Sequence, residues 1–223
     1  MIRLTVGAVL FDLDGVLVDS TEGNRRAWHT WAASHGIDGT ATFSVGHGLQ
    51  TVDHIRLVAP GLATRTEVER LDALEEEHSA AVTAQRGTED LASRLAGMDW
   101  GIVTSCSSRA AAQRLATAGL PYPPTLVCAD DVSEGKPSPE GYLLGARRLG
   151  ADPSAVVVFE DAPAGVTAAK KAGMRVVALT TTHASARLTA ADWQVEDLSG
   201  VGFDTRVNGR EHTLTLHAPG ERA

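Results

Sequence analysis

Two carboxylates two residues apart, Asp12 and Asp14, close the apolar run Val6-Gly7-Ala8-Val9-Leu10-Phe11. Such a run reads as a buried strand, and on an extended segment the two side chains share a face. Charges ~4 Å apart repel by ~4 kcal/mol at an effective dielectric of 20. The repulsion must be offset by a divalent cation, by a proton shared between the pair, or by a flare of the chain past the strand at Gly15. Three later segments carry polar residues at matching places. Thr104-Ser105 end an apolar run at 100–104, Glu160-Asp161 end one at 155–159, and Lys136 lies in the loop beyond a short run at 125–127.

Carboxylates, hydroxyls and one ammonium gathered in one place suit phosphoryl transfer. Phosphate monoesters hydrolyse so slowly that enzymes supply up to ~10²¹-fold acceleration, which needs positioning, charge neutralisation and a competent nucleophile. A carboxylate is such a nucleophile, through an aspartyl-phosphate. In this assignment Asp12 attacks, and Asp14 protonates the leaving alkoxide and then deprotonates the hydrolytic water. Mg²⁺ is the expected cofactor, bridging Asp12, the phosphoryl oxygen and Asp161 with help from Glu160, and Asp14 is counted in the same metal set. Ser105, expected at a helix N-terminus, together with Thr104 and Lys136, is the expected phosphate-binding group. The chain has seventeen arginines and three lysines, Lys136, Lys170 and Lys171. A lysine between Gly135 and Pro137 therefore suggests a position where a compact ammonium fits and a guanidinium fork does not.

The elements that must hold these residues alternate between strands and helices from Thr88 onward, which predicts a parallel sheet covered by helices on both faces. Strands are expected at 100–104, 125–127, 155–159 and 175–179, with a short one at 193–195. Helices are expected at 88–96, 107–118, 139–150 and 163–172, several of them stopped by Gly119, Gly150 and Gly173. In such a sheet all strand C-termini lie along one edge, where ligands bind. Residues 16–85 read differently, as an insert with no strand of its own. A helix from Ser20 to Gly36 carries Trp28 and Trp31 as packing residues, 37–48 reads as loop, and helices follow at Thr51–Val58 and from Thr64 to about Ala84. The expected division is a Rossmann-like core of residues 1–15 and 86–223, the N-terminus leading straight into the first strand, and a helical cap of residues 16–85. The tail, with Asn208-Gly209 between Thr205 and Thr213–Leu216, reads as a structural hairpin.

Composition bounds the partners. A formal charge of −8 argues against a general nucleic-acid binder. No apolar run approaches 18 residues and no signal-like stretch opens the chain, so a cytoplasmic protein without membrane contact is expected, as a monomer or weak dimer. Cys106 and Cys128 fit neither a disulfide framework nor a zinc motif. A cysteine phosphatase needs an arginine six residues after its nucleophile, and Ala112 and Glu134 stand there.

The motifs resemble those of the haloacid dehalogenase superfamily of phosphatases. Asp12-Leu13-Asp14-Gly15-Val16-Leu17-Val18-Asp19-Ser20 is similar to its first motif and Val103-Thr104-Ser105 to its second. Gly135-Lys136-Pro137-Ser138-Pro139-Glu140 and 159–166 are similar to the third and fourth. The resemblance implies a Rossmann-like core, a mobile helical cap inserted after the first motif, and a small phosphorylated metabolite as substrate. Arg26-Ala27-Trp28, His47-Gly48, 55–60 and 180–183 are similar to the sugar and polyol phosphatases, including those for 2-deoxyglucose 6-phosphate and glycerol phosphate. Asn24, His47 and Gln50 are the cap residues expected to set specificity.

Other members of the superfamily set the alternatives. The dehalogenases lack the second aspartate, and the phosphonate-cleaving enzymes use a cap lysine where this chain has none before Lys136. A binding module that has lost turnover conflicts with the intact Asp12 and Asp14. A β-phosphoglucomutase-like sugar mutase shares the core motifs, but its family pattern has histidine about where Asn24 stands and arginine about where Gln50 stands. Arginine after His-Gly is also usual in the sugar phosphatases, so Gln50 departs from that pattern too.

Overall fold

The computed structural model describes residues 1–204 and 212–217, and of residues 40, 41, 44 and 204 the backbone alone. Its strands are β1 (Ile2–Val6), β2 (Ala8–Phe11), β3 (Val18–Asp19), β4 (Thr83–Ala84), β5 (Trp100–Val103), β6 (Leu126–Val127), β7 (Val156–Glu160), β8 (Arg175–Leu179), β9 (Trp193–Val195), β10 (Val201–Asp204) and β11 (His212–Leu216). Its helices are α1 (Thr21–Ser34), α2 (Gly39–Val45), α3 (Thr51–Val58), α4 (Arg65–Glu77), α5 (Leu91–Arg94), α6 (Ser108–Thr117), α7 (Glu140–Leu149) and α8 (Pro163–Lys171).

A six-stranded parallel sheet runs in the order β6-β5-β2-β7-β8-β9. The chain starts at β2, winds outward through β5 to β6, and returns across β2 to build β7, β8 and β9. The C-terminal end of β2 therefore lies at the switch point, where two adjacent connections leave in opposite directions and open a crevice. Burial on both faces explains the unbroken apolar strands. Val9, Phe11, Val157, Phe159 and Val177 face a core shared with Leu91 of α5 and with Ala111 and Leu115 of α6. Leu10, Val156, Val158 and Val176 face the opposite core, closed by Tyr142 and Ala146 of α7 and by Val166 and Ala169 of α8. The expected α/β architecture with helices on both faces is thus observed.

An antiparallel sheet, β1-β11-β10, covers part of the first face through Leu4, Val6, Leu214 and Leu216. The tail does supply paired strands, while its Asn208-Gly209 turn lies outside the described residues. The N-terminus departs from expectation. It does not run on into the central strand, because Ile2–Val6 pairs with β11 and the chain switches sheets at Gly7, whose N–H bonds to the Ala155 carbonyl at 2.8 Å.

Between β2 and β5 the helices α1 to α4 bury a core of their own, formed by Ala27, Trp28, Trp31, Ala32, Ile55 and Leu71. Trp28 and Trp31 are packing residues there, as expected, and the Trp31 indole donates to Glu67 at 2.8 Å. Three local expectations give way to tertiary contacts. Residues 39–45 form α2 rather than loop, since Phe43 packs on the tryptophan cluster and overrides a glycine- and threonine-rich sequence. The last helix ends at Glu77 instead of near Ala84. The segment beyond it forms β4, which pairs with β3 (Val18 with Ala84, Asp19 with Thr83), so the insert is not purely helical. The helix expected at 88–96 is only the four residues Leu91–Arg94.

Candidate active site

β2 and β7 lie in register with Phe11 opposite Phe159, so Asp12 and Glu160 leave the sheet edge at the same level. Lys136, from the loop after β6, places its Nζ 2.9 Å from Asp12 Oδ1 and 2.6 Å from Glu160 Oε1. The Tyr142 hydroxyl donates to the same Glu160 oxygen at 2.8 Å, and the Tyr142 ring lies 5.2 Å from the ammonium. Glu160 Oε2 accepts the backbone N–H groups of Asp161 at 3.0 Å and Ala162 at 3.1 Å. Both Glu160 oxygens are thereby occupied, which makes this carboxylate an anchor for the ammonium and for the turn into α8. A side chain at Gly165, in the first turn of α8, would force this carboxylate to shift, because a Cβ there would sit 1.6 Å from Glu160 Oε1.

Charge in this cluster is set by burial and by close partners. Burial pushes the Asp12 carboxyl well above the usual carboxylate range; Lys136 opposes that shift, and Glu160 and Asp161 add to it. Burial also works against the Lys136 ammonium, but the carboxylates of Asp12 and Glu160 outweigh it and hold its pKa above the ordinary lysine value. Lys136 is therefore a permanent cation across the neutral range.

Asp161 is fully buried, with Oδ1 lacking any hydrogen-bond partner among the described residues. Its Oδ2 accepts from the Thr182 hydroxyl and contacts His47 Nε2 at 3.1 Å. One carboxylate oxygen from each of Asp12, Glu160 and Asp161 lies within 4.8 Å of the others. An orphaned buried carboxylate oxygen beside two more carboxylates is costly unless a cation joins them. All-oxygen donors of this kind suit a hard divalent ion. The set fits a metal site.

Asp14 does not bring its carboxylate to that set, contrary to its inclusion among the expected metal ligands. The chain turns at Gly15, which has φ +78°, and Asp14 bridges to Val18 instead of continuing the strand. Oδ1 of Asp14 accepts from the Ser20 hydroxyl at 2.5 Å, and Oδ2 pairs with the buried Arg114 guanidinium. The like charges of Asp12 and Asp14 are thus divided between two cations, Lys136 and Arg114. A flare at Gly15 was among the expected devices; Arg114 was not.

Ser105 and Thr104 stand at the end of β5, but the expected helix N-terminus lies farther on. Ser107 is the N-cap of α6, accepting the Ala110 N–H at 3.3 Å, so Ser105 sits in the preceding loop. The Ser105 hydroxyl donates to the Gly48 carbonyl at 2.8 Å, while the Thr104 hydroxyl faces Cys106 Sγ at 3.2 Å. Burial pushes the Cys106 thiol up, which leaves it inert as a nucleophile.

The three insert residues singled out from the sequence all reach the core. Asn24 on α1 accepts from Arg114 at 3.1 Å, His47 meets Asp161, and Gln50 lies against Gly135 beside Lys136. Burial lowers the pKa of His47, but its bond to Asp161 and the surrounding carboxylates outweigh burial and raise it. Between insert and core is a cavity of about 70 Å³ lined by Asp12, Asp14, Asn24, His47, Ser105 and Arg114. Glu75 of α4 also lines it and pairs with Arg114 at 2.5 Å; burial nevertheless pushes Glu75 up to about 7.

Arg114, Glu75 and Tyr142 had escaped the sequence reading. A faint signal existed for two of them: Arg114 lies among Ala111 and Leu115 on the buried stripe of α6, and Tyr142 lies with Ala146 on that of α7. Glu75 lay inside the run Glu75-Glu76-Glu77, where nothing separates a buried carboxylate from its solvated neighbours.

Comparison with known proteins agrees with this geometry. Residues 6–173 match the family model for haloacid dehalogenase-like hydrolases. Hexitol phosphatase A of Escherichia coli (strain K12) is 40% identical over 205 residues, covering 90% of this chain and 95% of the relative. Glycerol-1-phosphate phosphohydrolase 2 of Saccharomyces cerevisiae is 33% identical over 193 residues, covering 81% and 77%. Among solved structures, a hydrolase from Pseudomonas syringae superposes with a TM-score of 0.77 at 26% identity, covering 86% of this chain and 94% of that one. The chain belongs to the haloacid dehalogenase-like hydrolases, and within them it is related to phosphatases of sugar and polyol phosphates.

Proposed function

We propose that the protein is a Mg²⁺-dependent phosphatase that hydrolyses a small sugar or polyol phosphate monoester through an aspartyl-phosphate on Asp12. The observation that carries this reading is the buried set Asp12, Lys136, Glu160 and Asp161 at the switch point of the sheet, with one Asp161 oxygen unpartnered among the described residues. Asp12 attacks phosphorus from the cavity floor, and Lys136, already 2.9 Å from its carboxylate, adds positive charge where the phosphoryl oxygens gather. Asp12 and Asp161 would hold Mg²⁺, with Glu160 behind them, and the bound ion would neutralise phosphoryl charge. The Ser105 hydroxyl, here on the Gly48 carbonyl, is free to turn to a phosphate oxygen, whereas Thr104 is committed to Cys106. Asp14, lining the same cavity, protonates the leaving alkoxide and then takes a proton from the water that cleaves the acyl phosphate.

Residues 16–85 act in this proposal as a cap domain over a core of residues 1–15 and 86–223. The separate core around Trp31 supports that division, as does the β3–β4 pair that ties the two crossing strands together. The names of the relatives support a hydroxyl-rich phosphate monoester, and the polar wall of Asn24, His47 and Glu75 suits hydroxyl groups. Asn24 and Gln50 are also where a sugar mutase differs, which favours hydrolysis over isomerisation.

Phosphate release from a panel of hexitol, hexose, deoxyhexose and glycerol phosphates, with positional isomers assayed in parallel, tests both reaction and substrate class. The Asp12→Asn protein should be folded and inactive, and EDTA should stop turnover until Mg²⁺ is restored. Turnover by Asp12→Asn, or full activity in EDTA, contradicts the mechanism; positional isomers without phosphate release would make the protein a mutase.

A further inference from the structure

Arg114 is 5% exposed and belongs to the core helix α6, yet its guanidinium is the junction between core and insert. One terminal nitrogen pairs with Asp14 Oδ2; the other donates to Asn24 Oδ1 at 3.1 Å and to Glu75 Oε2 at 2.5 Å. The Asn24 amide donates to the Ser20 hydroxyl at 3.2 Å, and that hydroxyl donates to Asp14 Oδ1 at 2.5 Å. A closed ring results, running Asp14, Ser20, Asn24, Arg114 and back to Asp14, with Glu75 attached at the guanidinium.

We propose that Arg114 is a positioning residue for the reaction: its forked guanidinium fixes the Asp14 carboxylate and ties that orientation to the seating of α1 and α4. The proposal rests on the reading of Asp14 as the acid and base. Three observations carry it. Both Asp14 oxygens are held, so the carboxylate has one defined orientation. Arg114 is the one cation paired with Asp14 among the described residues. Ser20, the N-cap residue of α1, makes no side-chain cap bond: its oxygen accepts the Asn24 amide instead, and its hydroxyl donates to Asp14. A serine in that place ordinarily caps its own helix, so its engagement elsewhere marks a geometry held against local preference.

The fork matters because three acceptors on three elements must be met at once. A planar guanidinium does this with fixed donors, while an ammonium on a flexible stem holds charge but little direction. Moving α1 and α4 away would strip Asn24 and Glu75 from the guanidinium and loosen the grip on Asp14.

The test uses the full chain with Mg²⁺ and p-nitrophenyl phosphate, whose leaving group needs no acid. Wild type, Arg114→Met, Arg114→Lys, Asp14→Asn and the two double variants are compared by stopped-flow and steady-state assays. Wild type should turn over with Asp14→Asn impaired; if wild type releases no p-nitrophenolate, the functional reading itself fails. Arg114→Met should keep the first-turnover burst while steady-state kcat falls about 100-fold, and Arg114→Lys should recover about tenfold of that loss. In the Asp14→Asn background either substitution should change kcat by less than about threefold, because the group it positions is already gone. Losses that multiply in the double variants, or Arg114→Met within about threefold of wild type, overturn the proposal. If Arg114→Met does not fold, Arg114→Lys with and without Asp14→Asn decides by the same criterion.

Discussion

Replacing Lys136 by methionine removes the ammonium that separates Asp12 from Glu160 while keeping most of the side-chain volume. Nζ lies 2.9 Å from one carboxylate and 2.6 Å from the other, and the side chain is 6% exposed, so solvent cannot take its place. Breaking a buried pair of this kind costs about 3–5 kcal/mol, since it leaves uncompensated buried charge. Against a total stability of about 5–15 kcal/mol, that is a large fraction. The cost should depend on pH with a definite sign. Lys136 has a raised pKa and is charged in folded and unfolded chains alike below about pH 9, so it contributes no slope there. Asp12 behaves oppositely: burial raises its folded pKa, so ionising it weakens the fold increasingly as pH rises above about 4. Without Lys136 that rise is larger, and the gap between variant and wild type should widen from pH 5 to pH 8. Urea unfolding in EDTA, followed by tryptophan fluorescence at both pH values, measures the gap. A difference below about 1 kcal/mol that does not change with pH would refute the charge balance assigned to this cluster. Lys136→Arg should not restore activity, because the larger guanidinium must fit between two carboxylates and the Tyr142 ring.

Gly165→Ala puts a methyl group 1.6 Å from Glu160 Oε1 and should displace the anchor of Lys136, lowering kcat by about 10²-fold; Gly61→Ala, with nothing within 4 Å of its added carbon, is the matched control and should leave kcat unchanged. His54 is buried, accepts the stack of Trp28 at 3.7 Å and contacts the Thr42 carbonyl at 2.7 Å, and burial lowers its pKa to about 4. A depressed histidine stabilises the fold above its unfolded value near 6.5, and that stability is lost as pH falls toward 4, by about 3 kcal/mol in all. Unfolding monitored by tryptophan fluorescence should show this acid limb in wild type and lose it in His54→Phe; an unchanged slope would show that His54 is not the titrating group.

The central sheet was legible because strands buried on both faces must be apolar throughout, so each polar residue at an end stood out. Val156–Glu160 shows the rule: every residue is buried, and its one carboxylate marks the functional edge. The insert was less legible. Helix α2 depends on Phe43 reaching the tryptophan core, and the β3–β4 pair spans two residues on each side, too few for any periodicity. Polar residues at strand ends could be read in order along the chain, whereas Arg114 and Tyr142 stand within helices. One charged or hydroxylated residue within an amphipathic stripe carries no spacing signal, and only the fold shows that α6 and α7 point these two at carboxylates near β2 and β7.

The placement of the two cations separates what the sequence joins. Asp12 takes its charge partner from a loop of the core, and Lys136, Glu160, Tyr142 and Asp161 all come from that side of the seam; the insert reaches the cluster through His47, 3.1 Å from Asp161 Oδ2. Asp14, two residues later, takes one partner from the core helix α6 and another from the start of α1. Its surroundings are therefore complete only when insert and core are together, while the ammonium paired with Asp12 comes from the core. One turn at Gly15 sends the two carboxylates to these different neighbourhoods, so two like charges sit two residues apart without sharing a cation.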